Sequence, residues 1–177
     1  MRSVKLAALA TTAVLALAGC ATGNPQVAAY VDANQISQAQ VDQVSQVLAD
    51  TSSDPADTAG GFSPTVLQII IQSQVAQAAA AANNIQITEA QREQAIASDE
   101  TLTSLSKDPA TADFINDYVE ATLVVSTDAG KQAFNDQFAK TTVTVNPRFG
   151  TWDSQQNALV DGTAGGSISS LAPLAQG

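Results

Sequence analysis

The sequence feature that most constrains the fold is a long apolar segment between Val66 and Ala82. Drawn as a helix, it is apolar nearly all round, with three consecutive isoleucines, Ile69 to Ile71, at its centre. A helix without a polar face has to be surrounded by other parts of the chain or by lipid. Glutamines interrupt the segment at close intervals, which argues against a membrane span, since a span needs roughly 20 mostly apolar residues. The segment therefore predicts a buried central helix.

Capping patterns predict where helices begin along the chain. Two have the spacing of a capping box, and two join a capping residue to a proline suited to the first helical turn. The four patterns are Ser37 with Gln40, Ser63-Pro64, Thr88 with Gln91, and Asp108-Pro109. A further amphipathic helix is predicted over 128–140 and a loop over 51–61, and alternating residues at about 27–31 and 142–146 predict two short strands.

The N-terminus carries the pattern of a lipoprotein signal peptide over residues 1–19. A basic start and an apolar stretch lead into the lipobox Leu17, Ala18, Gly19 and Cys20. The cleavage chemistry needs a thiol directly after the cut to carry the lipid, and Cys20 is the chain's single cysteine. The sequence predicts that lipid on Cys20 holds the protein at the extracytoplasmic face of the cell membrane, with residues 20–26 as a tether. The alternative is a buried free cysteine in an ordinary secreted protein.

The mature chain is strongly acidic. Loss of residues 1–19 removes Arg2 and Lys5, which leaves five of the seven basic residues against 17 acidic ones. Nucleic-acid binding requires dense Lys and Arg, so no nucleic-acid partner is expected. The 158 residues that follow the signal peptide suit one domain.

The residue types limit the chemistry that the chain can perform. It has no histidine, which excludes histidine-dependent triads and histidine metal sites, so a metal site would have to be built from oxygen ligands. Paired carboxylates could act as acid and base in a hydrolase. The candidate pairs are Asp99-Glu100, Asp113 with Asp117, and Glu89 with Glu93. Solvated helix faces produce such spacings routinely, so we predict no enzyme, no cofactor and no metal.

Two stretches carry a family resemblance. One runs from Val31 through Asp32-Ala33-Asn34 to Asp42, and the other reads Val-Thr-Val-Asn-Pro-Arg-Phe-Gly-Thr-Trp-Asp over residues 143–153. Together they resemble the SurA N-terminal-domain family of exported folding helpers, specifically its short lipoprotein members from actinobacteria. The resemblance covers residues 27–153, and residues 154–177 are predicted to be a Gly/Ser-rich loop or disordered tail. At Asp32-Ala33 the relatives usually show Asn-Gly, and Asn34 is the candidate for the positive φ of this turn.

The resemblance implies both a fold class and a function. The fold class is mostly α: a multi-helix body with a small two-stranded β element that pairs the strand at about 27–31 with the strand at about 142–146. In the family the helices form a cradle for unfolded segments of exported proteins. The parvulin isomerase domain of many relatives is not expected, because only 24 residues follow Asp153 and histidines are lacking.

The second stretch supplies the candidate site residues. Arg148, Phe149 and Trp152 have two possible roles, as anchors of the strand against the helices or as the border of a groove for client segments. The functional expectation is a membrane-anchored holdase that binds unfolded or extended segments of exported proteins. The alternative is a structural lipoprotein that scaffolds an envelope complex through one fixed partner.

Overall fold

A computed structural model describes residues 24–160 of the chain. Within this range the protein forms six helices, five short strands and one 3-10 turn. In chain order they are β1 Val27–Val31, β2 Asn34–Ser37, α1 Gln38–Thr51, α2 Ala59–Asn83, α3 Glu89–Ala97, α4 Glu100–Leu105, α5 Ala112–Val125, α6 Asp128–Phe138, β3 Val143–Val145, the 3-10 turn Pro147–Phe149, β4 Thr151–Asp153 and β5 Ala158–Val160. The predicted class, mostly α with a small antiparallel sheet, is confirmed.

The apolar segment lies in the centre of the molecule, as predicted. Helix α2 packs against α1, α5 and α6 and also contacts β1 and β5. Its central side chains, among them Leu67, Ile71 and Val75, are buried in the single large apolar cluster. Burial of each such side chain contributes roughly 1.5–3 kcal/mol to folding. No helix in the described range combines the length and hydropathy needed to cross a membrane.

Helix α2 begins earlier than the predicted Ser63-Pro64 start. Thr58 is the N-cap, and its hydroxyl accepts a hydrogen bond from the Gly61 N–H at 3.2 Å. Pro64 therefore lies in the second turn, where its missing N–H leaves the exposed Gly60 carbonyl without its helical donor. The predicted start was wrong: the Ser63 hydroxyl does not cap a helix but donates to the Ala59 carbonyl at 2.8 Å, one turn earlier in α2.

The N-terminal and late strands pair as predicted, but the sheet has three strands. Strand β1 lies between β2 and β3 and is antiparallel to both, with Tyr30 opposite Gln35 on one side and Thr144 on the other. Strand β2 was not predicted, and its first residues, Asn34 and Gln35, were expected in a turn, because the strand depends on pairing with β1 that its own polar sequence does not signal. The positive φ of the turn belongs to Asp32, at 52°, and not to Asn34.

The segment before α5 also differs from the prediction. Asp108-Pro109 is not the helix start; the Asp108 carboxylate instead accepts from the Ala110 N–H at 2.8 Å in a local turn. The N-cap of α5 is Thr111, which is fully buried and donates its hydroxyl proton to the Leu105 carbonyl at 2.6 Å. The short helix α4, which the sequence analysis did not identify, is thereby fastened to the start of α5.

Ordered structure continues past residue 153, where the Gly/Ser-rich tail was expected to begin. Strands β4 and β5 form a hairpin in which Trp152 lies opposite Leu159. The Asp153 carboxylate accepts from the N–H groups of Gln155 and Gln156 in the connecting turn. The signal peptide and lipobox residues Leu17, Ala18, Gly19 and Cys20 lie outside the described residues, as do residues 161–177.

Candidate functional site

The two stretches that carry the family resemblance lie side by side. The Asn146 N–H donates to the Ala28 carbonyl at 2.8 Å, and the Asn146 side-chain amide donates to the Val27 carbonyl at 3.1 Å. The Arg148 guanidinium donates to the Gln38 side chain at the start of α1. These contacts join the end of the helical domain to its beginning.

The structure keeps Arg148 and Phe149 together and places Trp152 elsewhere. Phe149 is buried, and the Arg148 guanidinium lies over its ring at 5.3 Å from the centroid. Trp152 is half-buried and stacks on Phe138, with ring centroids 6.0 Å apart. The anchoring role is thus visible for both aromatic residues. Arg148 remains exposed.

Arg148 and Phe149 line an open cleft of about 470 Å³ to which Trp152 does not contribute. Its other walls are α1, through Asp42 and Gln46, and the first turns of α2 from Ala59 to Pro64. The lining is largely polar, and its charged side chains are Asp42 and Arg148. Of the three predicted site residues, Arg148 and Phe149 therefore share one cleft, and Trp152 lies outside its lining.

The candidate carboxylate pairs have structural partners in the fold. Asp99 caps α4, accepting from the N–H groups of Thr101 at 2.7 Å and Leu102 at 3.0 Å. Asp117 on α5 accepts from the Gln77 side chain of α2 at 2.7 Å. Glu89 and Glu93 lie on the exposed face of α3.

The carboxylates of Glu89, Glu93, Asp117 and Glu120 line an acidic cleft between α3 and α5. Partial burial raises the pKa of Asp117; the hydrogen bond from Gln77 opposes this, and the nearby Glu120 and Asp113 carboxylates add to it. Glu120 in turn forms an ion pair with Arg92 of α3 at 2.7 Å. Among the described residues, no three acidic or cysteine side chains are grouped to hold a metal ion.

A second candidate site lies on α2, where two glutamines hold the main chain of the C-terminal hairpin. The side-chain oxygen of Gln68 accepts from the Leu159 N–H at 3.0 Å, and the side-chain amide of Gln72 donates to the Asn157 carbonyl at 3.2 Å. Gln72 is 0% exposed. A carboxamide offers both a donor and an acceptor, so this pair satisfies both kinds of main-chain group.

In the sequence alone, these glutamines stand out only as interruptions of an apolar segment. The available signal was their spacing, because Gln68 and Gln72 are four residues apart and lie on one helix face. A buried carboxamide needs hydrogen-bond partners, so glutamines inside an apolar helix predict a polar ligand or main chain beside it. The partner itself, some 90 residues away in the sequence, could not be inferred locally.

The arrangement provides contacts to an extended chain that do not depend on its sequence. In these two hydrogen bonds the glutamines bind main-chain atoms, while the Leu159 side chain packs against the apolar cluster. Hydrogen bonds to the main chain contribute affinity for an extended segment of any sequence. The position that Leu159 takes against the core favours a large apolar side chain.

Comparisons with known proteins return no relatives. No protein-family model matches the chain, no curated protein matches it, and no solved structure matches it.

Proposed function

We propose that this protein is a membrane-anchored extracytoplasmic lipoprotein whose domain binds unfolded or extended segments of exported proteins without catalysing a reaction. The observation that carries the proposal is the pair Gln68 and Gln72, through which α2 holds the main chain of an extended segment. A holdase needs contacts of this kind, because its clients share a main chain and not a sequence. The proposal includes no cofactor, metal or nucleic-acid partner.

The proximity of the two family-like stretches supports the same function. Val31 of the first stretch pairs with Val143 of the second, and the Arg148 guanidinium donates to Gln38. Pairing of the first predicted strand with the late one is what the resemblance to the SurA N-terminal-domain family implies. The apolar side chains of α2, in contrast, are covered by neighbouring helices. Client binding would therefore depend on main-chain contacts at the edge of α2 more than on an open apolar cradle.

Aggregation of an unfolded secreted protein tests the holdase proposal. We expect the mature chain, with Cys20 replaced by serine to keep it in solution, to slow light-scattering growth when present at equimolar concentration. An inert globular protein of similar size and charge serves as the control. An aggregation rate equal to that of the control would overturn the proposal.

Lipid anchoring is tested separately in cells. Two or more acyl chains, at about 0.8 kcal/mol per buried CH₂, would anchor the protein stably. We expect labelled palmitate to be incorporated into the wild-type chain and the protein to sediment with membranes. The Cys20→Ser variant should lose the label, and retention of label by this variant would contradict the assignment of Cys20.

A scaffold for an envelope complex is the second candidate, and the coverage of the apolar side chains of α2 favours it. A scaffold binds one partner with fixed stoichiometry, whereas a holdase binds many clients weakly. Crosslinking in intact cells distinguishes them: one dominant adduct would favour the scaffold, and a broad distribution of adducts would favour the holdase.

A further inference from the structure

We propose that residues 157–160 occupy the site at which α2 binds an extended client segment, so that a client binds by replacing them. This inference rests on the proposed holdase function. It identifies the ligand as an extended polypeptide main chain and the binding groups as the side chains of Gln68 and Gln72.

The two glutamines bind groups that lie on one side of an extended residue. The Asn157 carbonyl and the Leu159 N–H belong to consecutive peptide units and flank Ala158 of β5. In an extended residue these two flanking groups point to the same side of the strand. Any extended segment presents a carbonyl and an N–H in this arrangement, so the match is not specific to residues 157–160.

The glutamines take the position of a neighbouring strand. In an antiparallel pair, alternate residues direct their main-chain groups toward the partner strand and away from it. Gln68 binds the outward N–H of Leu159 in β5, and Gln72 binds the carbonyl of Asn157, the residue directly before this strand, while β4 pairs along the opposite side. A client segment inserted beside α2 would satisfy the same two side chains.

Strand β5 is less buried than the central strand β1. Strand β5 has three residues, all of them only half-buried, whereas four of the five residues of β1 are buried. The turn that leads into it places Asn157 at a φ of 47°, a left-handed conformation that asparagine adopts at a moderate cost. Leu159 packs on the core cluster and marks where an apolar client side chain would bind.

The chain's single tryptophan reports on this exchange. Trp152 lies opposite Leu159 and stacks on Phe138. We choose reduced, carboxymethylated ribonuclease A as the client, since it is permanently unfolded and has no tryptophan. On its addition to the full mature chain, we expect a saturable change in Trp152 emission and faster amide hydrogen exchange at residues 158–160.

Two sets of variants test the site, with affinity measured by anisotropy of the fluorescein-labelled client. Leu159→Pro removes the N–H that Gln68 binds and releases the segment. It should tighten client binding about tenfold. A change of this size is expected when the fraction of protein whose site is free to bind a client rises from about 10% to nearly all of it. Gln68→Met with Gln72→Met keeps side-chain volume but removes both hydrogen-bonding groups, and should weaken binding at least tenfold in either background.

The matched control is Gln132→Met on the exposed face of α6, which should bind as the wild type does. Should the double variant fail to fold, Gln68→Met alone, at a half-buried position, is expected to weaken binding. Client binding that is unaffected by both Leu159→Pro and the glutamine variants would overturn this inference while leaving the holdase function intact. No binding by wild type or Leu159→Pro would overturn the function itself.

Discussion

At the residue scale, Asp32 stabilises the sheet from its turn. Its carboxylate accepts from the Thr142 N–H at 2.8 Å, and its own N–H donates to the Thr142 carbonyl at 2.8 Å. We expect Asp32→Ala to lower the free energy of unfolding by about 1–3 kcal/mol, because alanine loses the acceptor and tolerates the φ of 52° poorly. Asp32→Asn keeps both properties and should unfold near the wild-type urea midpoint. Equal midpoints for all three proteins would contradict this role.

Asp117 gives a residue-scale prediction about pH. Burial, opposed by the Gln77 hydrogen bond and reinforced by Glu120 and Asp113, raises its pKa in the folded protein above the ordinary value of 3.8. The folded state therefore favours the protonated form, and the resulting stabilisation is complete below pH 3.8 and is lost as pH rises through the folded-state pKa.

Asp117→Asn removes this charge and can still accept from Gln77. The variant should be more stable than the wild type at pH 7, and the difference should shrink as pH falls toward 3.8. Thermal unfolding across this range provides the measurement. A difference in stability that does not vary with pH would exclude titration of Asp117 as its cause.

At the element scale, Gly130 allows α6 to begin directly beside the end of α5. A Cβ at this position would lie 1.8 Å from the Val124 carbonyl oxygen and 3.0 Å from the Thr127 hydroxyl. Because the backbone at Val124 cannot move away easily, Gly130→Ala should destabilise the protein by at least about 2 kcal/mol.

The control is Gly60→Ala in the first turn of α2, where a Cβ would meet nothing within 4 Å. Alanine favours helix over glycine by up to about 1 kcal/mol, so this variant should be neutral or slightly more stable. Denaturant melts of the two variants give the comparison. Similar effects at both positions would show that the α5–α6 junction is looser than the contact distances indicate.

At the scale of the whole molecule, stability is concentrated around α2. Ile71 of this helix is 0% exposed, whereas α3 has no buried residue and Ile96 is only half-buried. Ile71→Ala should cost about 2–5 kcal/mol and lower the midpoint of the entire transition. The same substitution at Ile96 should cost less, and amides of α3 should exchange faster than those of α2 in hydrogen-exchange measurements. Equal losses at the two positions would contradict a core centred on α2.

Features that arise from local interactions could be predicted from the amino-acid sequence. The apolar character of residues 66–82 identified the buried helix, because no surface position suits such a segment. The capping box of Thr88 and Gln91 is present with both of its hydrogen bonds, since all of its groups lie within four residues. Strands β1 and β3, and Ser37 as the cap of α1, were likewise identified from short patterns together with the family resemblance.

Features that depend on contacts between residues distant in the chain became visible only in the three-dimensional structure. Strand β2 exists because β1 provides main-chain groups for it, and the hairpin after Gly150 is held partly by Gln68 and Gln72, more than 80 residues earlier. Arg148 and Trp152, close in sequence, lie at different places because the 3-10 turn and Gly150 redirect the chain between them. Strand pairing and side-chain burial depend on which elements come into contact. A local sequence pattern does not specify the element that will pack against it.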